Sequence, residues 1–189
     1  HGAGAYVYDL AGPGSLDFLA GIAVNSLGYN HPRLVKVLLE QGQRVLHCSN
    51  LFYHSYQGPL AKRLAEISGL ARVFFTNSGT EAIEGALKIA RAYAHNNSGP
   101  EKNGILSLKN SFHGRTLGAL SITAQEKYQA PFRPLVPEVQ IVEEFTAAAL
   151  EHAFNDRICA LVMEPIQVVA HTKDGKRELQ MQIGISRSQ

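Results

Sequence analysis

The chain has 189 residues, enough for one large domain or two small ones, and its 45% hydrophobic content suits a packed core. Its 18 Lys and Arg against 16 Asp and Glu leave a net charge of only +2, and the basic residues are scattered, which excludes the concentrated positive footprint of a nucleic-acid binder. Two cysteines exclude a disulfide framework and make a reducing compartment the default, while the longest unbroken apolar run, Ile158 to Met163, is too short to span a bilayer.

The sequence opens at His1, without an initiator methionine and without a basic, apolar leader, so an incomplete or processed N-terminus is expected. Tyr6 to Leu10 and Leu16 to Leu19 flank the turn formers Gly12-Pro13-Gly14 and predict a β-hairpin. Pro32 opens a predicted helix to about Gln41, with Leu34, Val35 and Leu38 on one face and Gly42 at its end. Pro59 opens a second, with Leu60, Ala61, Leu64 and Ala65 inward and Gly69 beyond it. A strand is predicted over Arg72 to Thr76, then a helix from Ala82 to about Tyr93, broken at Asn96-Asn97-Ser98-Gly99-Pro100. Further strands are predicted at Ile105 to Leu108, Gln140 to Val142 and Ile158 to Met163, with a helix over Thr146 to Phe154. Alternating strands and helices with continuous apolar strands predict an α/β layer with a mainly parallel sheet, in which ligands gather at the carboxyl ends of strands. Ser78-Gly79-Thr80, the Phe112-His113 loop and Glu164 all follow predicted strands.

The junction Asn77-Ser78-Gly79-Thr80-Glu81 carries the most chemistry. A helix start offers unpaired amides and partial positive charge to an anion, and a glycine lets the backbone come close to a phosphate. Ser78 and Glu81 also have capping-box spacing, so a well-capped helix alone fits the same residues. No lysine precedes a Ser or Thr after Gly79 as a P-loop requires, and Gly2-Ala3-Gly4 lacks the third glycine of a dinucleotide fingerprint. In the loop Asn110 to Thr116, Phe112 is suited to stack on a flat heterocycle and Arg115 to grip a carboxylate with two prongs. A buried loop anchor and a surface arginine also fit those residues, and fit them better when the loop is taken alone. His113 has the chemistry of a general base or of a histidine satisfied by backbone, and no histidine shows metal-ligand spacing, so no metal is assigned.

Together these segments carry a resemblance. Phe74 to Ala82, Ser111 to Thr116, and Val162-Met163-Glu164-Pro165-Ile166-Gln167 resemble the class III pyridoxal-phosphate aminotransferases. Gly21 to Pro32 and Ser49 to Tyr53 resemble their acetylornithine branch, and the likeness covers about residues 2 to 167. It implies a partial PLP-dependent transferase fold of type I, with a mainly parallel sheet flanked by helices and an N-terminal hairpin and helical segment. The implied organisation is an N-terminal segment over 1–56, a partial cofactor-binding α/β domain over 57–167 and an atypical polar tail over 168–189. Pyridoxal 5′-phosphate is the implied cofactor. Gly79 and Thr80 would bind its phosphate with help from Ser78, and Phe112 would stack on its ring. Arg115 would receive the substrate α-carboxylate, Tyr53 and Asn25 would line the pocket, and Glu164 and Gln167 would lie near the ring. The implied reaction moves an amino group from N-acetylornithine to 2-oxoglutarate within arginine biosynthesis, in a homodimer of the cytoplasm, or of the mitochondrial matrix in a eukaryote.

The resemblance stops after Gln167, where Val168-Val169-Ala170-His171 replaces an expected glycine-rich turn. The residues beyond are polar, show little sustained periodicity and have the composition of a mobile tail. In the family the lysine that carries the cofactor and the aspartate for its ring nitrogen lie further on, so no catalytic residue is assigned here and the chain alone is expected to be inactive. Two other readings stay open: a class III enzyme for another ω-amine, and a non-catalytic shortened subunit that binds a partner chain.

Overall fold

The computed structural model describes residues 1–10, 12–173 and 176–183. The chain divides into two compact units, His1–Val73 and Phe74–Gln189. The helix beginning at residue 57 therefore belongs with the N-terminal unit, not with the α/β unit as the sequence division at 57 had it.

In the N-terminal unit, β1 (Gly2–Ala3), β2 (Tyr6–Val7) and β3 (Ser15–Leu16) form an antiparallel sheet in that order. The expected hairpin is present but short, pairing only Tyr6 with Leu16 and Val7 with Ser15. Beyond Leu16, Asp17 redirects the chain. Its carboxylate accepts from the Leu19 and Ala20 amides at 2.8 and 3.0 Å and from the Tyr29 hydroxyl at 2.6 Å. Those bonds, the tyrosine's foremost, hold its carboxyl below the ordinary range. A distorted turn, α1 (Ala20–Ala23), follows.

The helix α2 (Pro32–Gly42) starts on its proline, where the missing N–H costs nothing. Next, α3 (Gln57–Ser68) begins two residues before Pro59, still within the first turn, where amides lack helical acceptors in any case. Gly69 closes it in the left-handed region at φ +72, its amide bonded to the Ala65 carbonyl at 2.9 Å. Leu34 and Leu38 of the shared face, and Leu60 and Leu64, predicted to face inward, are exposed, while Val35, Ala61 and Ala65 are half-buried. Both helices have the expected apolar stripe, but its large side chains are only partly covered among the described residues.

The second unit opens differently from expectation. Residues 72–76 are no strand, since no described strand lies beside them to complete a ladder, and Phe74 and Phe75 stay exposed. Helix α4 (Gly79–Ser98) runs through the expected break at Asn96, and Gly99 ends it. Asparagine is only a mild helix disfavourer, whereas the Gly99-Pro100 pair cannot continue one.

The sheet of this unit is centred on β4 (Gly104–Leu108). Two short helices come next, α5 (Leu117–Ser121) and α6 (Glu126–Gln129), then β5 (Val139–Val142), α7 (Ala147–Ala153) and β6 (Ile158–Val162). The strand order is β5-β4-β6 and every pairing is parallel, the doubly covered α/β arrangement expected. Neighbouring strand residues point to opposite faces, and the core divides accordingly. Ile105 packs with Leu87 and Ile122 under α4, whereas Leu106 and Leu108 pack with Val142, Ala153 and Ile158 under α7. Fully burying one such side chain contributes about 1.5–3 kcal/mol.

After β6 the backbone does not trail off. Strands β7 (Ile166–Lys173) and β8 (Lys176–Ile183) pair antiparallel from Ile166↔Ile183 to Lys173↔Lys176. The expected aperiodic tail is thus a two-stranded ribbon as far as residue 183, and the part of the tail expectation over 174–175 and 184–189 lies outside the described residues. No described helix is long and apolar enough to cross a membrane.

Candidate active site

The start of α4 is built as its spacing predicts, with one difference. Ser78 is extended (φ −152, ψ 161) and its hydroxyl accepts the Glu81 amide at 3.2 Å. Glu81 reaches back past the cap, accepting the Asn77 amide at 2.7 Å and the Asn77 side-chain amide at 3.0 Å. The expected return bond to Ser78 is therefore made one residue earlier, which gives Asn77 two bonds from one carboxylate. The amides of Gly79 and Thr80, first in the helix, meet no acceptor among the described residues. A β-carbon on Gly79 would meet nothing within 4 Å.

The loop after β4 lies at the carboxyl end of the sheet and is fastened from beneath by buried hydroxyls. Ser107 and Ser111 both donate to the Ile122 carbonyl, at 2.7 and 2.8 Å. Thr123, completely buried, accepts the His113 amide at 2.9 Å and faces the Gly114 and Ala119 carbonyls at 3.1 and 2.9 Å. One hydroxyl thus accepts the His113 amide and has its single proton to share between two carbonyls. Burial lowers the pKa of His113, so its imidazole stays neutral near neutral pH, and its Nε2 is buried without a partner among the described residues.

The same loop is tied sideways to α4. Glu84 accepts from the Thr116 hydroxyl and, at 3.1 Å, from the Ala119 amide, which caps the start of α5. Gly114 has φ +135, and a β-carbon there would collide with Thr80 Oγ1 and stand 2.9 Å from the Ala119 β-carbon. Only glycine lets this loop come so close to the helix start.

Phe112 and Arg115 emerge from this support exposed to solvent. The Phe112 amide donates to Glu164 Oε2 at 3.2 Å, joining the loop to the carboxyl end of β6. Gln167 is buried, and its side-chain nitrogen has no partner among the described residues. The second unit therefore brings Ser78, Gly79, Thr80, Phe112, Arg115, Glu164 and Gln167 to one end of the sheet. Asn25 and Tyr53 belong to the N-terminal unit, where Asn25 is half-buried and Tyr53 is fully exposed. Sequence reasoning did not single out Glu84, Thr123 or Tyr128. None stands in a motif, and each has a partner 10 or more residues away in the chain.

Residues 1–172 match the family described as Aminotransferase class-III. The chain belongs to that family. Among curated class-III relatives, the chain is 46% identical over 175 residues to the mitochondrial acetylornithine aminotransferase of Debaryomyces hansenii, covering 88% of this chain and 37% of that protein. It is 48% identical over 166 residues to the acetylornithine aminotransferase of Caldanaerobacter subterraneus, covering 88% of this chain and 42% of that one. The chain thus spans about two fifths of the length of the curated relatives it matches. Among solved structures, an ornithine aminotransferase from Toxoplasma gondii, reported with partial occupancy of PLP at its active site, superposes with a TM-score of 0.82 at 35% identity. That match covers 88% of this chain and 40% of the solved one. The second unit is accordingly a part of the PLP-dependent aminotransferase fold, its parallel sheet covered by helices on both faces.

Proposed function

We propose that the chain supplies the phosphate- and ring-binding portion of an aminotransferase that takes N-acetylornithine as amino donor and 2-oxoglutarate as acceptor. The observation that supports this best is the fastening of the Phe112–Thr116 loop to the start of α4, through Glu84 and through the contact of Gly114 with Thr80. It fixes an aromatic face, an arginine and a pair of free amides in one arrangement.

The residues present fit pyridoxal phosphate. The Gly79 and Thr80 amides, at the positive end of a 20-residue helix, suit its phosphate, and Glu81 is occupied with Asn77. Phe112 offers a ring face, and the buried side-chain nitrogen of Gln167 is a donor with no acceptor among the described residues, as a polar substituent on the ring would require. When bound, that cofactor supplies the electron sink for transamination. The chain's own residues bind and orient. Arg115 holds the substrate carboxylate, Phe112 sets the ring plane, Glu164 fixes Phe112 through its amide, and neutral His113 adds no competing positive charge. The lysine and the ring-nitrogen acid come, in this reading, from outside residues 1–167, so the chain alone does not turn over. A homodimer of the whole protein belongs to the same reading. Exposed Leu10, Phe18, Leu51 and Phe52 on the N-terminal unit offer apolar surface for further polypeptide to cover.

The test loads the chain with pyridoxal phosphate and titrates it calorimetrically with N-acetyl-L-ornithine and with putrescine, an ω-amine that lacks the carboxylate. N-acetyl-L-ornithine is expected to bind the more tightly, and Arg115→Ala to erase the difference. Equal binding of the two amines would favour the other ω-amine reading. A single stoichiometric lysine adduct after borohydride reduction would contradict the assignment of the lysine to other residues.

A further inference from the structure

Arg115 is exposed, yet its surroundings are ordered. Its guanidinium carbon lies 4.6 Å from the centroid of the Tyr128 ring and 5.8 Å from that of Phe112. The two rings meet edge to face, with centroids 6.2 Å apart and planes at 78°. No acceptor or carboxylate among the described residues pairs with the guanidinium, so all five of its N–H donors remain for a ligand.

That arrangement is unusual for a surface arginine, which normally takes an acidic neighbour or wanders among rotamers. Here the attraction is to ring faces, which constrain the plane of the guanidinium without using a single donor. Tyr128 can impose this because its own backbone is fixed. It sits in α6 next to Gln129, which is buried and whose side-chain amide donates to the Leu120, Ser121 and Thr123 carbonyls at 3.0, 3.2 and 3.0 Å. The same carbonyl region belongs to the hydroxyl network beneath Phe112 and Arg115. Lys127 adds a second cation, its Nζ 4.7 Å from the Tyr128 ring, which raises the positive potential beside Arg115 without engaging its donors.

We propose that Tyr128 is a positioning residue for carboxylate recognition: its ring holds the Arg115 guanidinium in a fixed plane with its donors free, ready for a two-pronged grip on a substrate carboxylate. Pre-setting the arginine lowers the ordering cost that a flexible side chain meets on binding. The inference rests on the reading of Arg115 as the carboxylate group's partner.

The experiment compares the unaltered chain with Tyr128→Phe, Tyr128→Leu and Arg115→Ala, each loaded with pyridoxal phosphate and titrated with N-acetyl-L-ornithine and with putrescine. Tyr128→Phe keeps a ring and should hold the N-acetyl-L-ornithine affinity within about twofold, whereas Tyr128→Leu should weaken it about two- to fivefold, the scale of an exposed cation–π contact. Putrescine binding should not change, which a merely structural loss would not achieve. Unchanged N-acetyl-L-ornithine affinity in Tyr128→Leu, with affinity lost in Arg115→Ala, overturns the role of Tyr128 and leaves that of Arg115 standing. Unchanged affinity in Arg115→Ala overturns both. Should Tyr128→Leu not fold, NMR of the other chains decides. Upfield ring-current shifts of the Arg115 side-chain protons, kept in Tyr128→Phe, support the proposal, and random-coil positions in the unaltered chain overturn it.

Discussion

Thr123→Val should destabilise the second unit by about 2–4 kcal/mol, although the two side chains have nearly the same shape, because buried backbone groups lose their partner at a cost of about 1–3 kcal/mol apiece. The hydroxyl accepts the His113 amide and faces the Gly114 and Ala119 carbonyls in a site with no access to water. A methyl group in its place fills the space and bonds to none of them. Urea unfolding followed by circular dichroism measures the shift in midpoint. The strand core is untouched, so the loop carrying Phe112 and Arg115 should show the loss first, as faster amide exchange at His113. A midpoint within error of the unaltered chain would mean that the hydroxyl is not what fixes this loop.

Leu106→Ala should cost about 2–5 kcal/mol, the range for emptying a fully buried leucine site. Leu106 is completely buried in the central strand, packed with Leu108, Val142, Ala153 and Ile158. Both neighbouring strands hydrogen-bond to β4, so the cavity cannot collapse by shifting a single edge. The same unfolding experiment reads it. Here, in contrast to Thr123→Val, exchange should rise across β4, β5 and β6 together, and a loss below about 1 kcal/mol would indicate a core already loosely packed.

These two positions also mark how far the sequence could be read. Leu106 was legible, because a continuous apolar run among strand-helix alternation has few other uses, and the same alternation pointed to a parallel sheet, whereas the strand order β5-β4-β6 comes from the structure. The cap at Ser78 was legible for the same local reason, since its partner Glu81 is three residues away. Thr123 was not. Its value comes from three backbone groups that approach only once the chain has folded, and a lone threonine after Ile122 carries no periodic signal. Glu84 bonds Thr116 across 32 residues and is hidden in the same way. The segment 72–76 misled in the opposite direction. Its composition is that of a buried strand, but strands exist by pairing and none is at hand among the described residues. Residues 168–173 lacked periodicity and still pair with 176–181, since a ribbon draws on backbone bonds that need no apolar pattern. The arrangement of Phe112 and Arg115 around Tyr128 was invisible for a further reason: aromatic contacts depend on ring planes, which spacing does not encode.

The proposed function stands or falls on anion capture by the first amides of α4. The most direct measurement is a calorimetric comparison of pyridoxal phosphate with pyridoxal, which lacks the phosphate, on the unaltered chain and on Thr80→Val with Phe112→Ala. Hydrogen bonds from amides to a charged acceptor such as phosphate are worth about 1.5–3 kcal/mol each, so the phosphorylated form should bind at least about tenfold more tightly. The doubly altered chain loses the Thr80 hydroxyl and the Phe112 ring but keeps both amides, so it should bind both forms more weakly and still prefer the phosphorylated one. Equal affinity for the two forms, unaffected by the substitutions, would contradict the account.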